Sequence, residues 1–167
     1  DLILSLKSAG YSFSTLSSYD LNPKHEKVVL MRHDIDKRPE NALAMANLEN
    51  SLDVKASYYF RIVKKSNDPE IISEIVKLGH ELGYHYEDLT LSKGDFEKAI
   101  KLFEKNLKYF KTFYPVDTIC MHGSPLTKWD NRDIWKKYDY RNFNIKCEPY
   151  FDIDFSEFAY LTDTGRK

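Results

Sequence analysis

The feature that most constrains this chain is an alternation of short apolar runs with segments of helical pattern. Four runs rich in aliphatic, β-branched or aromatic residues are predicted strands: residues 27–32, 54–63, 81–86 and 117–121. Apolar runs of this length are typical of strands that are covered on both faces. The clearest helix is predicted over residues 95–110, where phenylalanine and aliphatic residues recur on one stripe.

Two further helices are predicted from their start signals. Pro39 opens one, because a first-turn proline costs no hydrogen bond, and Asp68 caps another that ends at Gly79. A short helix is also expected within residues 1–10. Beyond residue 121 the pattern is irregular, and we expect two more short strands there, at residues 148–150 and 158–161.

The resulting order, β-α-β-α-β-α-β, predicts an α/β fold with a mainly parallel sheet, either open or closed into a barrel. We treat residues 1–167 as one domain, because this length suits a single core. In parallel folds, ligands bind beyond the carboxyl ends of the strands. Three predicted strands deliver polar residues to that edge, at positions 33–36, 85–88 and 122.

Composition and charge narrow the class of protein. A formal net charge of −1 argues against a nucleic-acid partner, which needs a basic face. No apolar run approaches the roughly 20 residues of a membrane span. Cys120 and Cys147 lack the close spacing of a cysteine-ligated zinc site, and two cysteines fit a reduced, cytoplasmic setting better than a disulfide framework.

Asp34 and Asp36 form the first candidate pair of site residues. Residues two apart in an extended segment point the same way, about 6–7 Å apart at Cα. Two such carboxylates repel each other when desolvated, and a divalent cation removes that conflict. The alternative is a structural pair that caps the helix after Pro39 or binds Arg32 and Arg38.

The second group of candidates surrounds two histidines. Neutral imidazole is a common ligand of transition metals, so His85 is a predicted ligand, with Glu87 or Asp88 supplying further oxygen atoms. His122 follows the fourth strand and could act as a third ligand, a general acid or a donor to an oxyanion; the alternative is a loop histidine bonded to backbone. His80 is expected to form local hydrogen bonds.

Two segments carry a resemblance to a known family. Residues 30–36, reading Leu-Met-Arg-His-Asp-Ile-Asp, and residues 79–85, reading Gly-His-Glu-Leu-Gly-Tyr-His, resemble the first two motifs of the polysaccharide deacetylases. That family includes chitin, peptidoglycan and other amino-sugar deacetylases, and its fold is an irregular, incomplete (β/α) barrel. The resemblance implies that Asp34 is the general base and that Asp36 and His85 bind the metal.

The chain departs from the family pattern in three places. Leu89 stands where the family has a second metal-binding histidine. Asp88 is the expected substitute; the alternatives are Glu87 in that role, or a metal that is bound weakly or not at all. The third motif, Arg-x-Pro in the family, reads His-Gly-Ser-Pro at residues 122–125, and the late Leu-x-His motif has no counterpart before Lys167. The resemblance therefore covers residues 28–125. A complete barrel of this kind needs about 200 residues or more, so we expect a protein truncated at the C-terminus.

These expectations combine into a predicted function. The chain is expected to be a metal-dependent hydrolase with zinc as its ion. It is expected to remove an N-acyl group, most simply an N-acetyl group, from an amino sugar in cell-surface polysaccharide metabolism. Asp34 and His122 take the catalytic roles, and Asp36, His85 and Asp88 bind the metal. The carbohydrate substrate is expected to contact Glu87, Arg38, Tyr86, Asp163 and Arg166. The alternatives are a catalytically inactive carbohydrate-binding relative and a hydrolase of another non-peptide C–N bond.

Overall fold

Short strands alternate with helices along the described part of the chain, residues 2–19, 27–124 and 127–162 of a computed structural model. The strands are β1 (Ser12–Ser14), β2 (Val28–Leu30), β3 (Arg32–Ile35), β4 (Ser57–Phe60), β5 (Glu81–Tyr86) and β6 (Ile119–Met121). The α-helices are α1 (Leu2–Ser8), α2 (Pro39–Ser51), α3 (Pro69–Lys77), α4 (Asp88–Leu91), α5 (Phe96–Phe110) and α6 (Pro149–Asp152). Two 3-10 helices, Asn131–Lys136 and Tyr140–Phe143, lie between β6 and α6.

The centre of the fold is a four-stranded parallel sheet in the order β3-β4-β5-β6. The sheet is curled into a half barrel, which is compatible with an incomplete barrel. A separate parallel pair, β1 with β2, precedes it in the chain. The prediction of an α/β fold with a mainly parallel sheet is therefore confirmed.

The long helices begin where the sequence signals place them. Pro39 lies in the first turn of α2. The Asp68 side chain accepts the backbone N–H groups of Glu70 and Ile71 at the start of α3, and Asp95 accepts one N–H at the start of α5. These carboxylates satisfy donors that a helix leaves unpaired at its first turn. None of the described helices is both long enough and apolar enough to span a membrane.

Several strand boundaries differ from the prediction. The strand expected at residues 27–32 continues after a break at Met31, so that His33 and Asp34 lie inside β3 and not beyond it. Residues 148–150 do not form a strand, because Glu148 caps a helical turn and Pro149 occupies its first position. Residues 158–161 are not a strand either.

The parallel sheet has two unlike faces, because successive side chains of a strand point to opposite sides. The helix face packs its apolar side chains into the main core with α2, α3 and α5. It carries Ile35, Tyr58, Phe60, Leu82, Tyr84, Tyr86 and Ile119. The inner face of the half barrel carries two rows of register partners: Asp34, Tyr59 and Gly83 form one row, and His85 and Cys120 form another. The only large apolar packing on this face is a small cluster of Leu16, Tyr59 and Cys120 within the described residues.

Candidate metal centre

Asp36, His85 and His122 converge at the carboxyl edge of the sheet. The Nδ1 atom of His122 lies 3.0 Å from Asp36 Oδ1 and 3.3 Å from His85 Nε2. His85 Nε2 lies 3.6 Å from the same Asp36 oxygen. Asp36 follows β3, His85 is near the end of β5 and His122 follows β6, so three strands contribute one residue each. We call these three residues the outer cluster.

The donor atoms of the outer cluster have the spacing of a metal site. Zinc binds nitrogen and carboxylate oxygen at about 2.0–2.2 Å, so two ligands at a tetrahedral angle lie about 3.3–3.6 Å apart. The three separations of 3.0, 3.3 and 3.6 Å are close to that range. Two imidazoles and one carboxylate also leave coordination positions open. The outer cluster could therefore hold a metal ion.

The orientation of the His85 ring favours metal binding. Its Nδ1 atom lies 2.9 Å from the backbone carbonyl oxygen of Cys120. Because a carbonyl oxygen only accepts hydrogen bonds, Nδ1 is the protonated nitrogen and Nε2 keeps its lone pair. Such an outer partner fixes both the tautomer and the ring plane of a metal-binding histidine.

His122 is held by its backbone. Its N–H donates to the carbonyl oxygen of Tyr86 at 2.8 Å, which continues the β5–β6 pairing by one residue. Its own carbonyl oxygen accepts the side-chain amide of Asn131 at 2.8 Å. Both contacts leave the imidazole free to point toward Asp36.

Local charge adjusts the pKa values of two cluster members. Burial acts to raise the pKa of Asp36, but the hydrogen bond from His122 and the neighbouring His85 and Arg61 outweigh it and lower the pKa. Burial lowers the pKa of His85, and the nearby carboxylates only partly oppose this. An ionised carboxylate beside a neutral imidazole is the protonation state that a metal requires.

Asp34 lies on the inner face beside the outer cluster. It forms a second metal-capable group with His85 and Cys120, in which the ligand atoms all lie within 4.8 Å of one another. Its carboxylate also lies 3.3 Å from the Arg32 guanidinium, which in turn contacts the Tyr150 hydroxyl at 3.3 Å. Asp34 is therefore oriented by Arg32 and remains next to the candidate metal position.

Arg61 is a site residue that the sequence analysis missed. It donates two hydrogen bonds to Glu87, at 2.8 and 2.6 Å, and its Nη1 atom lies 3.8 Å from Asp36 Oδ1. Arg61 directly follows β4, at the same edge as the outer cluster. A charged residue directly after an apolar run could have revealed Arg61. The predicted strand over residues 54–63 was too long, however, and placed Arg61 inside the strand. Glu87, which was expected to contact substrate, is buried and occupied by this ion pair.

The structure does not bring Asp88 into the outer cluster. Its buried carboxylate accepts the Tyr84 hydroxyl at 2.8 Å and the Asn106 side-chain amide at 2.8 Å. Burial raises the pKa of Asp88 to about 7, although these hydrogen bonds oppose the shift. Asp88 begins α4 directly after β5, so the chain turns and points this side chain into the helix-face core. The expected ligand role is therefore corrected to a structural one.

Tyr86 is also placed away from the inner face. Its hydroxyl accepts the indole N–H of Trp135 at 2.9 Å and donates to Glu148 at 3.3 Å. The side chain is fully buried on the helix face, which corrects the expectation that it contacts substrate.

The remaining predicted residues fall into three groups. Arg38 is exposed just before α2, with a φ of 55°. His33 contacts Glu49 at 2.6 Å, and His80 makes the expected local bonds, with its Nε2 3.0 Å from the carbonyl oxygen of Ala46. Asp163, Arg166 and Pro125 lie outside the described residues.

The fold and the site together define a parallel α/β protein with a histidine–carboxylate cluster that could hold a metal ion. No protein-family model matches the chain, and neither a curated protein nor a solved structure matches it.

Proposed function

We propose that this chain is a metal-dependent hydrolase that removes an N-acyl group, N-acetyl in the first instance, from an amino sugar. The observation that carries the proposal is the outer cluster, whose donor atoms lie 3.0–3.6 Å apart. The resemblance of residues 30–36 and 79–85 to the polysaccharide deacetylases supplies the reaction and the substrate class.

The outer cluster is proposed to bind zinc through Asp36, His85 and His122. Three protein ligands with an open position are typical of catalytic zinc sites. A bound zinc ion would lower the pKa of a water molecule and polarise the amide carbonyl. Arg61 orients Asp36 from the side of β4, since its Nη1 lies 3.8 Å from the carboxylate.

Asp34 is proposed to be the general base. It lies beside His85 on the inner face, and Arg32 orients its carboxylate from 3.3 Å. Asp34 takes the proton of the attacking water and afterwards donates it to the leaving amine. His122 then acts as a ligand; its role as catalytic acid stays a prediction.

An aromatic row beside Arg32 supports a carbohydrate substrate. The Tyr150 ring lies 5.3 Å from the Arg32 guanidinium, Phe155 lies 6.1 Å from Tyr150, and Tyr160 lies 5.6 Å from Phe155. All three rings are at least one-third exposed. Exposed rings pack well against the C–H faces of sugars while hydroxyl groups find polar partners.

The inactive carbohydrate-binding alternative draws less support from the site. It was motivated by Leu89, which occupies a position that binds metal in the family. Leu89 is buried in the core, and His122 offers a third donor from another strand. The proposed ligand set therefore does not depend on position 89.

The test is release of free amine from N-acetylated amino sugars by the zinc-loaded chain, measured with metal content. We expect release in the native chain and loss of both activity and zinc in Asp36→Ala and His122→Ala. His33→Gln is the matched control, because His33 belongs to the same tetrapeptide as Asp36 but contacts Glu49. Absence of amine release with every divalent ion tried, or zinc retained in Asp36→Ala, would overturn the proposal.

A further inference from the structure

Cys120 lies on the inner face beside two residues of the proposed site. Cys120 pairs with His85 in the β5–β6 register, and Asp34 occupies the same face on β3. One ligand atom from each of these three residues lies within 4.8 Å of the other two. We call Asp34, His85 and Cys120 the inner cluster. Neither the sequence resemblance nor the proposed reaction uses this thiol.

The inner and outer clusters compete for one histidine. His85 donates its Nδ1–H to the carbonyl oxygen of Cys120, so a single free nitrogen, Nε2, remains for a metal ion. An ion bound by Asp34, His85 and Cys120 thus takes the same nitrogen as an ion bound by Asp36, His85 and His122. The two modes exclude each other.

The ligand types of the two clusters select different ions. The outer cluster offers nitrogen and oxygen atoms, whereas the inner cluster replaces one imidazole with a sulfur atom. Thiolate ligands favour soft cations over hard ones. Cys120 is fully buried, so water does not compete with an ion for its sulfur atom.

The inner cluster can close on an ion with small movements. Asp34 is the most exposed of its three members, and its carboxylate lies 3.3 Å from the Arg32 guanidinium. A partly exposed ion pair of this kind contributes about 0–1 kcal/mol, so its loss opposes binding only weakly. His85 and Cys120 are already neighbours across two paired strands.

We propose that the inner cluster is a second, mutually exclusive binding site for a thiophilic divalent cation such as Cd²⁺, with the Cys120 thiolate as a ligand. On binding, the sulfur–metal bond forms and the thiol proton leaves to solvent. The binding site goes beyond the proposed function and does not depend on it. A consequence that does rest on the proposed function is inhibition, because the ion occupies the base Asp34.

The experiment is a Cd²⁺ titration of the metal-free 167-residue chain, followed by the sulfur-to-cadmium charge-transfer absorbance. We expect the band to saturate at one equivalent in the native chain. Cys120→Ser removes the band. It also weakens Cd²⁺ binding by more than the roughly 10–100-fold that losing an outer-shell partner costs, because the thiolate is a direct ligand. Cys147→Ser is the matched control, because Cys147 is the other buried free thiol and belongs to neither cluster; it keeps the band.

A third variant, His122→Ala, separates the two binding modes. His122→Ala disables the outer cluster but leaves the inner cluster whole, so it keeps the charge-transfer band. No band in the native chain, a band that persists in Cys120→Ser, or a band lost in Cys147→Ser or His122→Ala would overturn the proposal. The native titration needs no substitution. A missing band in the native chain therefore cannot be attributed to a misfolded variant. Amine release plays no part in this readout, so failure of the proposed hydrolase activity is detected separately.

Discussion

The two faces of the parallel sheet use aspartate in opposite ways. On the helix face, Asp88 is fully buried and accepts hydrogen bonds from Tyr84 and Asn106. On the inner face, Asp36 is half exposed and lies 3.0 Å from His122. Burial raises the pKa of Asp88 to about 7, whereas the neighbouring imidazoles lower the pKa of Asp36 despite its partial burial.

This difference in burial and hydrogen bonding separates aspartates with a structural role from those that could take part in a site. Asp88 has its hydrogen bonds supplied by fixed neighbours, so little capacity remains for a ligand. The donor atoms of Asp36 and His85 instead lie 3.6 Å apart, in a group that could hold a metal ion. A polar residue type alone therefore does not predict a site; the face on which it lies and the partners around it do.

The largest expected effect concerns Asp34 on the inner face. Asp34→Asn should reduce kcat for amine release by about 10²–10⁴-fold, the typical contribution of a general base. Zinc content should be unchanged, because the outer cluster does not include Asp34. Steady-state kinetics with metal analysis measures both. If the Asp34→Asn protein kept the native kcat, Asp34 would not be the general base.

The next prediction compares how much Asp88 and Asp36 contribute to the free energy of unfolding. Asp88→Ala should lower the free energy of unfolding by about 3 kcal/mol, since the buried Tyr84 hydroxyl and Asn106 amide each lose a partner worth about 1–3 kcal/mol. Asp36→Ala should lower the stability of the metal-free chain by only about 0–1 kcal/mol, because its ion pairs are partly exposed. Chemical denaturation measures both variants. Equal losses would show that the two faces do not differ as described.

A smaller effect tests packing on the inner face. A Cβ at Gly83 would lie 2.1 Å from a ring carbon of Tyr59, which is fully buried and bonded to Thr118. Gly83→Ala should therefore cost about 1–3 kcal/mol, as overpacking does. Gly123→Ala is the matched control, since no atom of the described residues lies within 4 Å of its Cβ. Thermal unfolding that is unchanged in Gly83→Ala would mean that Tyr59 can move.

The last comparison is a pH dependence of stability that has opposite signs on the two faces. The folded pKa of Asp88 is raised from 3.8 to about 7, so its contribution to stability is complete below about pH 3.8 and is lost as the pH rises toward 7. The slope is at most about 1.4 kcal/mol per pH unit. Asp88→Asn should flatten this fall in denaturation curves collected across that range.

Asp36 provides the contrast in the same experiment. Its folded pKa is lowered, so its contribution is present above its unfolded pKa and is lost as the pH falls through the folded value. Asp36→Asn should remove stability at neutral pH relative to acid pH, in the metal-free chain. The same sign for both variants would contradict the two assignments.

Much of the scaffold was predictable from local signals. Pro39, Asp68 and Asp95 mark helix starts because their chemistry acts within one turn. The predicted strand at residues 81–86 agrees with β5 at both ends. The edge that gathers Asp36, His85 and His122 also followed from the alternation, because parallel strands end on one side of a sheet.

Only the tertiary structure shows which face of the sheet each polar side chain points to. In the sequence His33, Asp36, Glu87 and Asp88 all follow apolar runs and look equivalent. A shift of one residue in a strand boundary moves a side chain to the opposite face, and the boundary depends on contacts with distant strands and helices. Arg61 was missed for this reason, because the predicted strand over residues 54–63 extends beyond the end of β4 at Phe60.

The sequence by itself therefore determined the order of strands and helices and the edge at which polar residues collect. Those features depend on residue periodicity and on capping within one turn. Only the tertiary structure decided that Asp88 belongs to the core and that His122 joins Asp36 and His85. The physical reason is that a metal-capable cluster is defined by distances of 3–4 Å between residues far apart in the chain, and packing alone sets those distances.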